Sequence, residues 1–187
     1  MKKKPLLPAL LLSFLFIATL SGAPSAVNLL PGDSSYEGGM GYFRDCWFGT
    51  GGPAVVEDCP DAPDGLRCVV AELAPGGSQS NNGDPIPLKA GRRYVLSLWS
   101  RGDTPATGTV AVVNRHWKDT QTFDYGLSSE WKRFEIAFTP KFDEEYWLVL
   151  GFRNPSETSP VHVAYDAVQL EEGEQATPFQ PQRVFSA

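Results

Sequence analysis

From Val27 onward the chain never sustains a helical apolar period. Short runs of alternating apolar and polar residues are instead cut off every few positions by Gly, Pro, Asn, Asp and Ser. A period of two marks a strand with one buried face, and clustered turn residues mark its ends. Tyr94, Leu96 and Leu98 alternate with Val95, Ser97 and Trp99, and Phe134, Ile136 and Phe138 alternate with Arg133, Glu135 and Ala137. Strands are also predicted over 109–114, 146–152 and 161–170, and around Val55, Leu66 and 85–88. Trp147, Val149, Gly151 and Arg153 share the face opposite Tyr146, Leu148, Leu150 and Phe152, a face that is apolar at its start and polar at its end. Roughly eight such strands bury their apolar faces most economically as two packed sheets. The expected fold is therefore all-β, a two-sheet antiparallel jelly-roll β-sandwich. At 187 residues and 42% hydrophobic, the chain has enough material for one domain with a usable core.

The first 26 residues read differently. Lys2, Lys3 and Lys4 precede an apolar run over 6–20 and then small residues over 21–26, the order of a secretory signal. The run falls short of the roughly 20 residues that span a bilayer, so no membrane span is expected after cleavage. No cysteine lies near the cleavage region to accept a lipid. The expected organisation is a signal over 1–26, a sandwich domain over 27–180 and a tail over 181–187, in a protein that is secreted, periplasmic or on the extracellular surface. The net charge of −6 becomes −9 once the three lysines of the signal leave, which excludes a nucleic-acid partner because phosphate neutralisation needs a basic face.

Export also changes the reading of Cys46, Cys59 and Cys68. They show no metal-ligand spacing, so one disulfide and one remaining thiol are expected in an oxidising compartment. A hairpin centred between Pro63 and Asp64 sets Cys59 opposite Cys68 and leaves Cys46 beside Trp47. Pairing of Cys46 with Cys68 is the alternative.

The opening Asn28-Leu29-Leu30-Pro31-Gly32-Asp33-Ser34-Ser35-Tyr36-Glu37 and the closing Tyr165-Asp166-Ala167-Val168-Gln169-Leu170-Glu171-Glu172-Gly173, with Ala176-Thr177-Pro178-Phe179 after it, frame a recognisable pattern. Between them lie the run from Pro85 to Ser100 and Ser129-Glu130-Trp131-Lys132-Arg133-Phe134. Together they resemble the jelly-roll carbohydrate-binding modules of the family 4, 9 and 22 type, in the galactose-binding-like superfamily. The resemblance covers nearly all of 28–180 and is more specific for the fold than for the ligand. It implies a secreted, non-catalytic domain that holds polysaccharide or glycan, in the company of a glycoside hydrolase or a surface protein. It also implies a structural calcium near the joined termini, with Glu37 and Asp166 as ligands and Asp33 as a possible addition. The alternative is that these carboxylates are solvated or accept hydrogen bonds from turn amides.

The residues themselves are compatible with sugar binding. A pyranose presents apolar C–H faces ringed by hydroxyls, so its site needs a flat aromatic and hydrogen-bonding groups around it. Trp99, Trp117 and Trp147 are the candidate platforms, with Asn114, His116 and Arg153 as polar partners. Trp117 stands out because charged and polar residues surround it, whereas Trp131 and Trp47 are assigned to the core. His162 reads as strand decoration, and Arg101-Gly102-Asp103 as ordinary turn chemistry. Hydrolase, zinc-protease and phosphate-loop motifs are absent. A polysaccharide lyase built on Asn114, Arg115, His116 and Tyr125 ranks below binding, because neighbouring residues on a strand point to opposite faces. The reading from another class is a structural or surface-assembly domain that uses the same sandwich to pack against proteins.

Overall fold

The computed structural model describes residues 27–50 and 53–181, and for 45–48 the backbone alone. The expected signal, all but the first residue of the tail, and the side chains of Cys46 and Trp47 lie outside the described residues. Within them the chain forms β1 (Asp45–Gly49), β2 (Val55–Asp58), β3 (Arg67–Leu73), β4 (Ser78–Asn82), β5 (Ile86–Leu88), β6 (Tyr94–Gly102), β7 (Thr107–Asn114), β8 (Thr120–Gly126), β9 (Lys132–Phe138), β10 (Glu144–Arg153) and β11 (Val161–Glu172). One sheet has the order β1-β4-β10-β7-β8 with β5 also paired to β10, and the other has the order β2-β3-β11-β6-β9. All pairings are antiparallel. The fold is the expected two-sheet jelly-roll β-sandwich. Among the described residues no helix is long and apolar enough to cross a membrane.

The alternation in the sequence becomes the packing between the sheets. Tyr94, Leu96 and Leu98 of β6 meet Tyr146, Leu148, Leu150 and Phe152 of β10 in one core. Its aromatic centre is Tyr165, edge-on to Tyr36 at 5.5 Å and stacked with Phe152 at 5.6 Å.

Three strands escape the eight expected. The most instructive is β4, Ser-Gln-Ser-Asn-Asn, which carries no apolar residue yet pairs centrally between β1 and β10. Its inward Gln79 and Asn81 are buried, and they remain tolerable because Gln79 donates to Asn81 and Asn81 donates to the Tyr165 hydroxyl at 3.0 Å.

In β11 the register against β6 shifts between Asp166 and Gln169. Ala167 takes a left-handed φ of 49° there. Before this bulge the odd residues Val163 and Tyr165 enter the core; after it the even residues Val168 and Leu170 do. The bulge thus changes which side chains face inward without breaking the strand. The opening segment docks onto the same stretch, with Val168 donating its amide to the Ser34 carbonyl and Leu29 to that of Leu170.

The β2–β3 hairpin forms, but with a different register from the one expected. Glu57 lies opposite Cys68, and Cys59 donates its amide to Leu66, two residues from the expected partner. The hairpin is centred between Ala62 and Pro63, one residue earlier than expected. Cys59 and Cys68 are still buried together with Ala164, as free thiols. Burial raises both thiol pKa values, the Cys68 thiol donates to Cys59, and the Cys59 thiol donates to Asp61.

Candidate functional site

The two outer faces of the sandwich differ in what covers them. Outside the five-stranded sheet, the segment after β11 folds back: Thr177 donates to Glu171, and Gln180 donates its amide to Gln169 at 2.6 Å. Arg133 fastens the segment by donating to the Thr177 carbonyl and to Ser97. Next to it, the turn after Cys59 lies over Asp166, whose carboxylate accepts the Asp64 amide at 2.9 Å.

The predicted binding residues divide between these faces. Trp99 sits half-buried on the five-stranded sheet, between Asp166 on β11 and Arg133 on β9. Trp147 belongs to β10 in the other sheet, opposite Val113 of β7. Trp99 therefore does not share a binding face with Trp147. Trp131 also departs from expectation. It packs beside Cys59, Cys68, Ala62 and Val70 in a small cluster outside the five-stranded sheet, with the Arg101 guanidinium 4.6 Å from its ring centre, rather than in the main core.

Asn114 is not a ligand contact but the fastener of the β7–β8 turn. It is fully buried, donates to Glu144 at 2.8 Å, and accepts the Asp119 amide at 2.8 Å. Its backbone closes the turn by accepting from Trp117. Asp119, which the sequence reading did not single out, anchors the other side. It accepts from the Lys141 amide and the Tyr146 hydroxyl, each at 2.9 Å. Burial alone would raise its pKa, but these donors and the Lys141 ammonium at 3.5 Å outweigh that and hold it low. The turn built this way presents His116 and Trp117 outward. Trp117 is 57% exposed and has φ of 58°, a left-handed conformation that non-glycine residues adopt rarely and often at functional sites.

The lyase constellation does not assemble. Asn114 is buried, Arg115 pairs with Glu145 at 3.2 Å, and the Tyr125 ring lies 4.3 Å from Phe134 on the inner side.

The six-stranded sheet offers the more coherent outer surface. Trp147, Val149, Gly151 and Arg153 run along β10, as alternation requires. The register sets Val113, Ala111, Thr109 and Thr107 of β7 beside them, then Thr120, Thr122, Asp124 and Gly126 of β8. Asn82, Ser80 and Ser78 of β4 complete the rows on the other side. This face is apolar at the Trp147 end, next to the Trp117 turn, and polar at the Arg153 end. From Trp147 to Arg153 it is about 20 Å long at the usual rise of a strand. At the polar end a recess of about 360 Å³ opens between Thr107, Thr109, Asp124, Gly126 and Arg153. Alternation along one strand indicated that Trp147 and Arg153 share a side; Thr107, Thr109 and Asp124 needed the pairing register to be found.

A larger recess, about 610 Å³, lies outside the five-stranded sheet over Val55, Val70 and Ala164, with Arg101, Asp103 and His162 on its rim. Among the described residues no tryptophan, tyrosine or phenylalanine lines it. The Arg101-Gly102-Asp103 tripeptide is not displayed there, since Arg101 pairs with Asp61 at 2.6 Å and Asp103 holds His162 at 3.1 Å.

The expected calcium ligands are brought near one another by the fold. Asp33 accepts from the Ser35 and Gly38 amides, Glu37 from those of Leu66 and Arg67, and Asp166 from those of Asp64 and Ala167. Burial, reinforced by the charges of Asp64 and Glu37, pushes the Asp166 carboxyl up to about 7 despite its two amide donors. Burial, Glu37 and Asp33 also raise Asp64. All-oxygen donors with uncompensated negative charge fit the chemistry of Ca²⁺. As arranged here their oxygens face amides, and among the described residues no three His, Cys, Asp or Glu side chains converge on one point.

Compared by sequence, the chain matches no protein-family model and no curated protein. Compared by structure, it is similar to a family 61 module solved with β-1,4-galactotriose, at TM-score 0.62 and 17% identity over 79% of this chain and 100% of that one. It is also similar to a family 16 carbohydrate-binding module, at TM-score 0.54 and 18% identity over 78% and 100%. The CBM22-1 xylan-binding domain of Paenibacillus barcinonensis Xyn10C gives TM-score 0.54 and 15% identity over 82% and 99%. At these identities what is shared is the fold, the jelly roll of carbohydrate-binding modules.

Proposed function

We propose that this chain is an exported, non-catalytic carbohydrate-binding domain that holds a polysaccharide along the outer face of its six-stranded sheet. The observation that carries the reading is the composition of that face. Trp147 supplies an aromatic platform at one end, and small hydroxyl and amide side chains with Asp124 and Arg153 supply hydrogen-bonding partners along the rest. Trp117 and His116, on the turn that Asn114 and Asp119 hold, extend the aromatic end. Stacking on an indole gives affinity without demanding one sugar, and the polar rows set orientation. The shared fold supports the reading. Calcium at Asp33, Glu37 and Asp166 is part of the proposal as a structural element, well away from the glycan face. The test is retention of Trp147→Ala and Trp117→Ala on immobilised polysaccharides. Both variants should melt close to wild type and lose binding; unchanged retention of a polymer that wild type retains would overturn the assignment.

A second reading, a surface-assembly domain that binds protein, is favoured by the recess on the five-stranded sheet. Its aliphatic floor and charged rim suit a protein side chain better than a sugar ring. A wild-type chain that binds no glycan would turn the assignment to that recess.

A further inference from the structure

The arginines of this acidic protein are nearly all accounted for. Those at 44, 67, 92, 93, 101, 115 and 133 each lie 2.6 to 3.9 Å from a carboxylate. Among the described residues Arg153 is the one arginine with no carboxylate partner, and it stands exposed at the rim of the recess on the six-stranded sheet. The nearby Asp124 makes no ion pair with it; its carboxylate accepts from the Thr109 hydroxyl at 2.7 Å.

The backbone beneath the guanidinium is held firmly. Arg153 pairs with Ser78 on one side and Thr107 on the other. The next residue, Asn154, is fully buried and donates to the carbonyls of Leu73, Ala74 and Ser159. Part of the space in front of the guanidinium comes from the missing side chain of Gly126, which lines the hollow. A Cβ at Gly126 would meet nothing within 4 Å, and one at Gly151 would make only ordinary contact with Thr109 at 3.6 Å. An exposed guanidinium with no carboxylate partner among the described residues, beside a hollow with two threonine hydroxyls, is suited to a planar anion, which it engages through two parallel N–H donors. The net charge of −6 repels polyanions at a distance, so this cation is a local device and not part of a basic patch.

We propose that Arg153 makes the glycan face selective for polysaccharides bearing uronic acids, its guanidinium receiving the sugar carboxylate while Thr107, Thr109 and Asp124 bond the ring hydroxyls. This rests on the reading of the face as glycan-binding. The experiment compares polygalacturonate with its methyl ester, and glucuronoxylan with its carboxyl-reduced form, by affinity electrophoresis and calorimetry. Wild type should bind at least one acidic polymer about tenfold or more tighter than its neutral counterpart. Arg153→Gln should bring the affinity for the acidic form down to that for the neutral form and leave the melting temperature unchanged. Gly126→Val, which places a side chain in the hollow, should weaken acidic binding without unfolding the chain. Equal binding of both members of each pair, a preference that survives Arg153→Gln, or a stronger preference for a sulfated polymer overturns uronate selection and leaves the glycan reading standing. Binding of none of the polymers, neutral or acidic, overturns both.

Discussion

Replacing Asp166 by asparagine should make the stability of this protein less dependent on pH, in a direction opposite to that of a salt-bridged carboxylate. Asp166 is fully buried on β11, and burial first, then Asp64 and Glu37, bring its carboxyl from 3.8 to about 7. Between those values the native chain holds a proton that the unfolded chain has released. Stability therefore falls as pH rises from about 4 to about 7 and is level above that. At about 1.4 kcal/mol per pH unit the loss is roughly 4 kcal/mol as an upper figure. An asparagine side chain cannot ionise, so Asp166→Asn escapes it. At pH 8 the gain is offset by hydrogen bonding, because a carboxylate accepts from both Asp64 and Ala167 whereas an amide oxygen faces one of them and the NH₂ opposes the other. That mismatch costs about 1 to 3 kcal/mol. The variant should thus exceed wild type by about 1 to 3 kcal/mol at pH 8 and lose its relative advantage at pH 4.5. Urea unfolding of both proteins in EDTA, from pH 4.5 to 8, measures the difference. A stability gap that does not change with pH would show that Asp166 ionises as easily in the folded chain as in the unfolded one, and the argument would fail.

The remaining expectations concern other parts of the molecule. Ca²⁺ at 100 times its dissociation constant should stabilise wild type by about 2.7 kcal/mol, and Glu37→Gln or Asp166→Asn should abolish the effect; a metal-loaded protein indifferent to EDTA would exclude the site. Under oxidising conditions Cys59 and Cys68 should form a disulfide that closes a short loop and adds about 2.5 kcal/mol, seen as a cross-linked peptide by mass spectrometry; a cross-link from Cys46 to Cys68 would reject this pairing. Asp119→Ala removes the acceptor of the Lys141 amide and the Tyr146 hydroxyl and should cost roughly 2 to 4 kcal/mol. Because the Asp119 carboxyl is held low, the part of the penalty that comes from its charge should be present above about pH 4 and shrink as pH falls below that, so a penalty that does not shrink on acidification would contradict it.

The divide between sequence and structure follows from the range of the forces involved. Period-two alternation is local, and it determined that Tyr94, Leu96 and Leu98 face one way, that Trp147 and Arg153 share a side, and that the chain folds into packed sheets. It was blind to β4, because Gln79 and Asn81 carry no apolar signal and are held inside only by each other and by Tyr165, 84 residues beyond Asn81. It also missed the bulge at Ala167, where one local backbone choice reverses which residues enter the core.

Which aromatic rings meet a ligand is a question of sheet membership, which no strand reveals about itself. Trp99 and Trp147 look alike in sequence, and only the strand order sends them to different sheets. Asn114 reads as a sugar-binding amide beside Trp117, yet long-range partners on β10 and Asp119 turn it inward. The sequence alone determined the fold class and the supply of aromatic and polar side chains. The tertiary structure decided that the segment after β11 and the turn after Cys59 fold over one outer face, and that Arg153 alone among the described arginines has no carboxylate partner, because pairing across strands is set by register and not by neighbourhood along the chain.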